Sequence, residues 1–131
     1  MVVDSSAFIA MILGEGERPI FEDLILREPT VVMSVASVME ITIALLARRR
    51  EPDAASLDET LATFAIDVLG VDLQQGMLAR QAFTRFGRGR HPAALNFGDC
   101  FAYALAKARD EPLLFKGQDF LKTDIVPAWR L

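Results

Sequence analysis

Met1-Val2-Val3-Asp4-Ser5-Ser6-Ala7-Phe8-Ile9-Ala10-Met11-Ile12-Leu13-Gly14 opens the chain, and it reads as a strand that delivers an acid to the start of a helix. Met1 to Val3 is apolar and β-branched, which favours an extended backbone. Ser5 or Ser6 can cap a helix through Ile12, and Gly14 supplies the conformation that ends one. No uninterrupted apolar stretch is longer than the run from Ala7 to Leu13. It falls far short of the ~20 residues a membrane helix needs, so it predicts core and not anchor.

The same alternation continues outward. Thr30 to Met33 follows Pro29 and reads as a second strand; Ser34 or Ser37 then opens a helix to about Arg48, closed by Pro52. Leu57, Leu61 and Phe64 recur at helical spacing within Ser56 to Phe64, and Ile66 to Val71 is a third apolar run, a strand or the end of that helix. Leu73 to Phe86 predicts a helix, followed by the basic loop Gly87-Arg88-Gly89-Arg90-His91-Pro92. Asn96 to Ala108 predicts another, and Leu113 to Phe115 and Ile125 to Val126 are the last strand candidates. Strands and helices in this order imply an α/β fold with a parallel sheet covered on both faces.

Composition bounds the possibilities. The chain has 131 residues, 52% hydrophobic and 24% charged, enough to bury a core and too apolar for disorder. The start carries Asp4 where a signal peptide would carry basic residues, and Cys100 has no second cysteine to pair with, so a reducing cytoplasm and no membrane association are expected. The net charge of -4 argues against a polyanionic partner until its distribution is read. No acid lies between Asp72 and Asp99, whereas Arg80, Arg85, Arg88, Arg90 and His91 all do. That window suits a bound polyanion; Arg48 to Arg50, at a helix end, are better explained by the helix dipole.

Four acids stand in apolar surroundings: Asp4, Glu40 in Val38-Met39-Glu40-Ile41, Asp99 in Phe97-Gly98-Asp99-Cys100, and Asp119 in Gly117-Gln118-Asp119-Phe120. A carboxylate stripped of water needs a partner, and hard cations such as Mg2+ take oxygen ligands of this kind. Each acid also has a local explanation. Ser37-Val38-Met39-Glu40 fits a capping box, Asn96 to Asp99 offers the same, Asp4 can cap the first helix and Asp119 can begin a turn. The four are expected to share one rim of the sheet, beyond the carboxyl ends of its strands, where ligands bind in such folds. One metal site is more economical than four capping accidents there.

Val3-Asp4-Ser5-Ser6-Ala7, the segment Val35 to Ile41, Leu95-Asn96-Phe97-Gly98-Asp99-Cys100-Phe101-Ala102-Tyr103 and Leu114-Phe115-Lys116-Gly117-Gln118-Asp119-Phe120 resemble, in order and spacing, the four signature regions of the PIN domain in VapC-type toxin ribonucleases. The third segment is the most specific. The resemblance implies one three-layer α/β/α domain over residues 1–131 with a central parallel sheet of four to five strands. It also implies a Mg2+-dependent endoribonuclease, with Mn2+ able to substitute, in which water activated at the metal leaves 5'-phosphate and 3'-hydroxyl ends. Asp4 and Asp99 would be the metal ligands, with Glu40 and Asp119 completing the catalytic set. Ser6 would hold a carboxylate or phosphate oxygen, and Arg85, Arg88 or Arg90 would touch RNA phosphate. Gln118 stands where many relatives carry Asn or Asp, which leaves a second metal open. Implied partners are RNA, a VapB-type antitoxin and a second copy of the chain; Phe8, Ile20, Phe21, Leu24 and Ile25 are the surplus apolar residues such contacts would use.

Other classes fit less well. A haloacid-dehalogenase-type phosphatase needs an Asp where this chain has Ser6. A receiver-like phosphoacceptor domain would use Asp4, Asp72 and Lys116 and leave Glu40, Asp99 and Asp119 idle. The lone His91 argues against a histidine-driven ribonuclease, and Tyr103 and Trp129 read as packing residues.

Overall fold

A computed structural model describes residues 1–130. Strand β1 (Val2–Val3) is followed by α1 (Ser5–Ile12) and α2 (Arg18–Arg27). Strand β2 (Val31–Ser34) leads into α3 (Val35–Ala47), α4 (Glu51–Ala55) and α5 (Leu57–Thr63). After β3 (Ile66–Leu69) come α6 (Leu73–Phe86), α7 (Phe97–Arg109), β4 (Leu113–Leu114) and a 3-10 turn at Phe120–Lys122. All four strands are parallel, in the order β3-β2-β1-β4.

The period of two along each strand builds a core on either face. Val2, Val32 and Leu113 pack with Ala79, Ala82, Phe86, Leu105 and their neighbours from α6 and α7. Val3, Val31, Met33 and Leu114 point the other way, onto Phe8, Phe21, Ile25, Ile41 and Leu61 from α1, α2, α3 and α5. The result is the expected three-layer arrangement. Among the described residues no helix is long and apolar enough to cross a membrane.

Three expectations are corrected. Ile125 and Val126 form no strand: Leu113 N donates to Val126 O at 2.9 Å and Ala128 N to Leu113 O at 2.8 Å, which makes one isolated bridge between Leu113 and Pro127, and the sheet has four strands. Pro52 does not close α3 but stands in the first turn of α4, where a missing N–H costs nothing. Ser34, not Ser37, caps α3, its Oγ accepting from Ala36 N at 3.2 Å; Ser37 is buried inside the helix and makes no box with Glu40.

The strand order positions the site. From β1 the chain builds outward through β2 and β3, then returns to lay β4 on the other side of β1. The topological switch therefore lies at β1, and the crevice beyond its carboxyl end is where an open α/β sheet binds ligands. Asp4 is the next residue after β1.

Candidate active site

Asp4 does two jobs with its two oxygens. Oδ2 caps α1, accepting from Ser6 N at 3.0 Å and Ser6 Oγ at 2.5 Å. Ser6 Oγ in turn accepts from Lys116 N at 3.0 Å, which ties the segment after β4 to the start of α1. Oδ1 is buried and has no partner among the described residues. With the residue only 1% exposed, loss of water pushes its carboxyl above the usual range, against the pull of the Ser6 bonds.

Glu40 lies in the second turn of α3, past the first-turn positions where a capping or dipole role would place it. It is half-buried, and its Oε1 accepts from Ser5 Oγ at 3.3 Å. Burial first, then repulsion from Asp4 and Asp99, raises its carboxyl to about 7. Asp99, the third residue of α7, completes a true capping box: its N–H donates to Asn96 Oδ1 and its Oδ2 accepts from Asn96 N, both at 2.9 Å. Burial nevertheless lifts Asp99 to about 6; Asn96 opposes the rise, Asp4 and Asp119 add to it, and Arg88 lowers it. Asp119 is exposed at the start of the 3-10 turn and makes no capping bond. Asp4, Glu40 and Asp99 thus form one charge-coupled group that Asp119 reaches through Asp99, and capping and clustering coexist in Asp4 and Asp99.

The donor set fits a hard cation. Among the described residues no three acids stand close enough to cage an ion unaided. Mg2+ asks for less: it keeps several waters and is held by one or two carboxylates. The orphaned Oδ1 of Asp4 and the half-buried carboxylate of Asp99, whose charge burial and its acidic neighbours disfavour, are oxygens of that kind.

The basic window divides. Arg88 is the arginine whose charge reaches Asp99. Arg85 is occupied with Asp124 at 3.6 Å and lies over the Phe86 ring, and Arg90 Nε donates to Thr84 O at 3.2 Å, so both have partners on and around α6. Tyr103 turns away from the acids, donating to Asp124 Oδ1 at 2.8 Å, and Trp129 packs edge-on against Phe21. His91 Nδ1 accepts from Ala93 N at 3.1 Å, a loop-closing bond. Cys100 is buried, and burial pushes its thiol up to about 11. Two residues the sequence reading passed over touch Glu40: Ser5, and Gly98, whose place inside a helical pattern is the one signal that marked it.

The receiver-like alternative fails on this geometry. Asp72 spends its Oδ1 capping α6, accepting from Gln75 N at 2.8 Å, and Lys116 pairs with Glu15 and Glu17. The strand order also differs from the 2-1-3-4-5 of that fold.

Comparison with known proteins agrees with the fold. The PIN domain family model matches residues 1–126. Ribonuclease VapC30 of Mycobacterium tuberculosis is 44% identical over 125 residues, 95% of each chain. Ribonuclease VapC42 of the same organism is 42% identical over 130 residues, 98% of each chain, and a Ribonuclease VapC of Mycolicibacterium smegmatis is 42% identical over 95% of this chain and 97% of that one. Among solved structures, the fold is similar to VapC20 of Mycobacterium tuberculosis, described as a sarcin-ricin loop cleaving toxin, with a TM-score of 0.71 at 20% identity over 95% of each chain. A toxin-antitoxin complex from Klebsiella pneumoniae aligns with a TM-score of 0.70 at 14% identity, covering 99% of this chain and 98% of that one. The chain belongs to the PIN-domain family, in its VapC ribonuclease branch.

Proposed function

We propose that this chain is the RNA-cleaving toxin of a toxin-antitoxin pair, a Mg2+-dependent endoribonuclease acting through Asp4, Glu40, Asp99 and Asp119. The observation that carries the reading is the buried Oδ1 of Asp4, unpartnered among the described residues, at the switch point of the sheet and within charge reach of Glu40 and Asp99. Asp4 and Asp99 would hold the cation, which when bound supplies Lewis-acid polarisation of a scissile phosphate. Ser6 locks the Asp4 carboxylate in one rotamer through two bonds to a single oxygen. Glu40, poised near neutrality, accepts the proton of the attacking water. Asp119, exposed and close enough for its charge to reach Asp99, helps orient that water. Arg88 is favoured over Arg85 and Arg90 as the phosphate contact, because those two already have partners.

Membership of the VapC branch supports a VapB-type antitoxin as cognate partner. A second copy of the chain is supported by α3, where Val35, Met39, Ile43 and Leu46, one helical turn apart, leave 47% to 58% of their surface exposed. Of the residues expected to supply surplus apolar surface, Phe8, Phe21 and Ile25 are core, Leu24 is partly buried against it, and Ile20 is exposed. Expression of the chain alone in a bacterial host tests the toxin reading. Growth arrest relieved by Glu40→Gln, or by co-expression of the antitoxin, supports it; a soluble, abundant and harmless wild-type chain contradicts it.

A further inference from the structure

We infer that Gly98 and Ser5 form a seat that sets where the Glu40 carboxylate stands, making Gly98 a positioning residue for the reaction and not a packing glycine. The inference rests on Glu40 being a working member of the acidic pocket. Gly98 is the second residue of α7 and is absent from the glycines with positive φ, so its backbone does not require glycine. On helix propensity alone alanine would be the better residue. What forbids a side chain is Glu40. A Cβ built on Gly98 would fall 1.8 Å from Oε2, 2.0 Å from the carboxyl carbon and 2.5 Å from Oε1, and these are its three nearest atoms.

All three belong to the far end of one flexible side chain. A methyl group at Gly98 would therefore displace a carboxylate and leave the α7 backbone where it is. Gly87 shows the contrasting case, since a Cβ there would strike the backbone oxygen of Phe83 at 2.4 Å. From α1, the buried Ser5 presents Oγ to Oε1 at 3.3 Å. Ser5 adjoins Asp4 and Gly98 adjoins Asp99. The two helix starts that present those acids thus also fix the third, and the distances among the three follow from how α3 packs against both α1 and α7 at the carboxyl end of β1.

Gly98→Ala, with Glu40→Asp as second background, tests this by crystallography, thermal unfolding and RNA cleavage. The expected variant unfolds at or above the wild-type temperature, shows the Glu40 carboxylate swung off the first turn of α7 with Asp4 and Asp99 unmoved, and cleaves about tenfold to a hundredfold more slowly. On the shorter Glu40→Asp side chain, the same added methyl should cost less. Unchanged cleavage, a carboxylate still in place with α7 shifted, a lowered unfolding temperature, or equal losses on both backgrounds would overturn the seat. Full activity in Glu40→Gln would instead remove the underlying role of Glu40, a separate outcome.

Discussion

Ser6 places both its Oγ, at 2.5 Å, and its N–H, at 3.0 Å, on the same oxygen of Asp4, so the other oxygen of that carboxylate is left buried without a donor. A group that served only to cap α1 would have no reason to keep a bare lone pair at the one crevice the strand order creates. An acceptor in that state destabilises the fold unless a cation completes it. The fold and the proposed chemistry meet in this one side chain.

Asp4→Asn and Asp99→Asn should each reduce RNA cleavage by about a hundredfold or more, the scale on which a lost electrostatic partner at a reacting group is felt. Asp4→Asn should also raise the unfolding temperature in metal-free buffer, since it removes a buried charge repelled by its neighbours. Differential scanning calorimetry beside a cleavage assay reads both effects, and a variant with wild-type activity would remove that residue from the site.

Acid clustering gives a pH dependence of definite sign. Glu40 at about 7 and Asp99 at about 6 sit above their ordinary values of 4.5 and 3.8, so the folded chain binds more protons than the unfolded one between those limits. The stability they contribute is fully present below about pH 4 and is lost as pH rises through 6 and 7. In chelator the unfolding temperature should therefore fall between pH 5 and pH 8 on their account. Added Mg2+ should raise it more at pH 8, where the carboxylates are charged, than at pH 5. Equal shifts at both would contradict a cation held by these groups.

Alanine at Arg88 should weaken RNA binding and lower the slope of log affinity against log salt by about one, the signature of a single lost phosphate contact. Alanine at Arg85 or Arg90 should change the slope less, because those side chains are engaged with Asp124 and Thr84. Filter binding over a salt series decides between them.

Replacing Ile43 and Leu46 by lysine on the exposed stripe of α3 should leave the fold intact and halve the mass measured by light scattering. A monomeric wild-type chain would contradict pairing through the stripe.

How much of this was legible in the sequence depended on range. The βα unit at the start, the helices read over Leu73 to Phe86 and Asn96 to Ala108, and the four acids as candidates could be read because strand, cap and helical period are local signals. Helix α2 was missed: Pro19 and its charged neighbours mask the Phe21 and Ile25 spacing that buries it. Whether Ser34 or Ser37 starts α3 was undecided, since both can cap and only burial against the sheet separates them. The Gly98 contact with Glu40 joins residues far apart in the chain, and no window along the sequence contains both.

The most direct test of the central claim is cleavage of total RNA by the purified, antitoxin-free chain in Mg2+, in EDTA, and after Mg2+ is restored, with the ends of the fragments mapped. The account predicts cuts that require Mg2+, cease in EDTA, return with the metal, and leave 5'-phosphate and 3'-hydroxyl ends. Cleavage undiminished by EDTA, or fragments ending in 2',3'-cyclic phosphate, would contradict it.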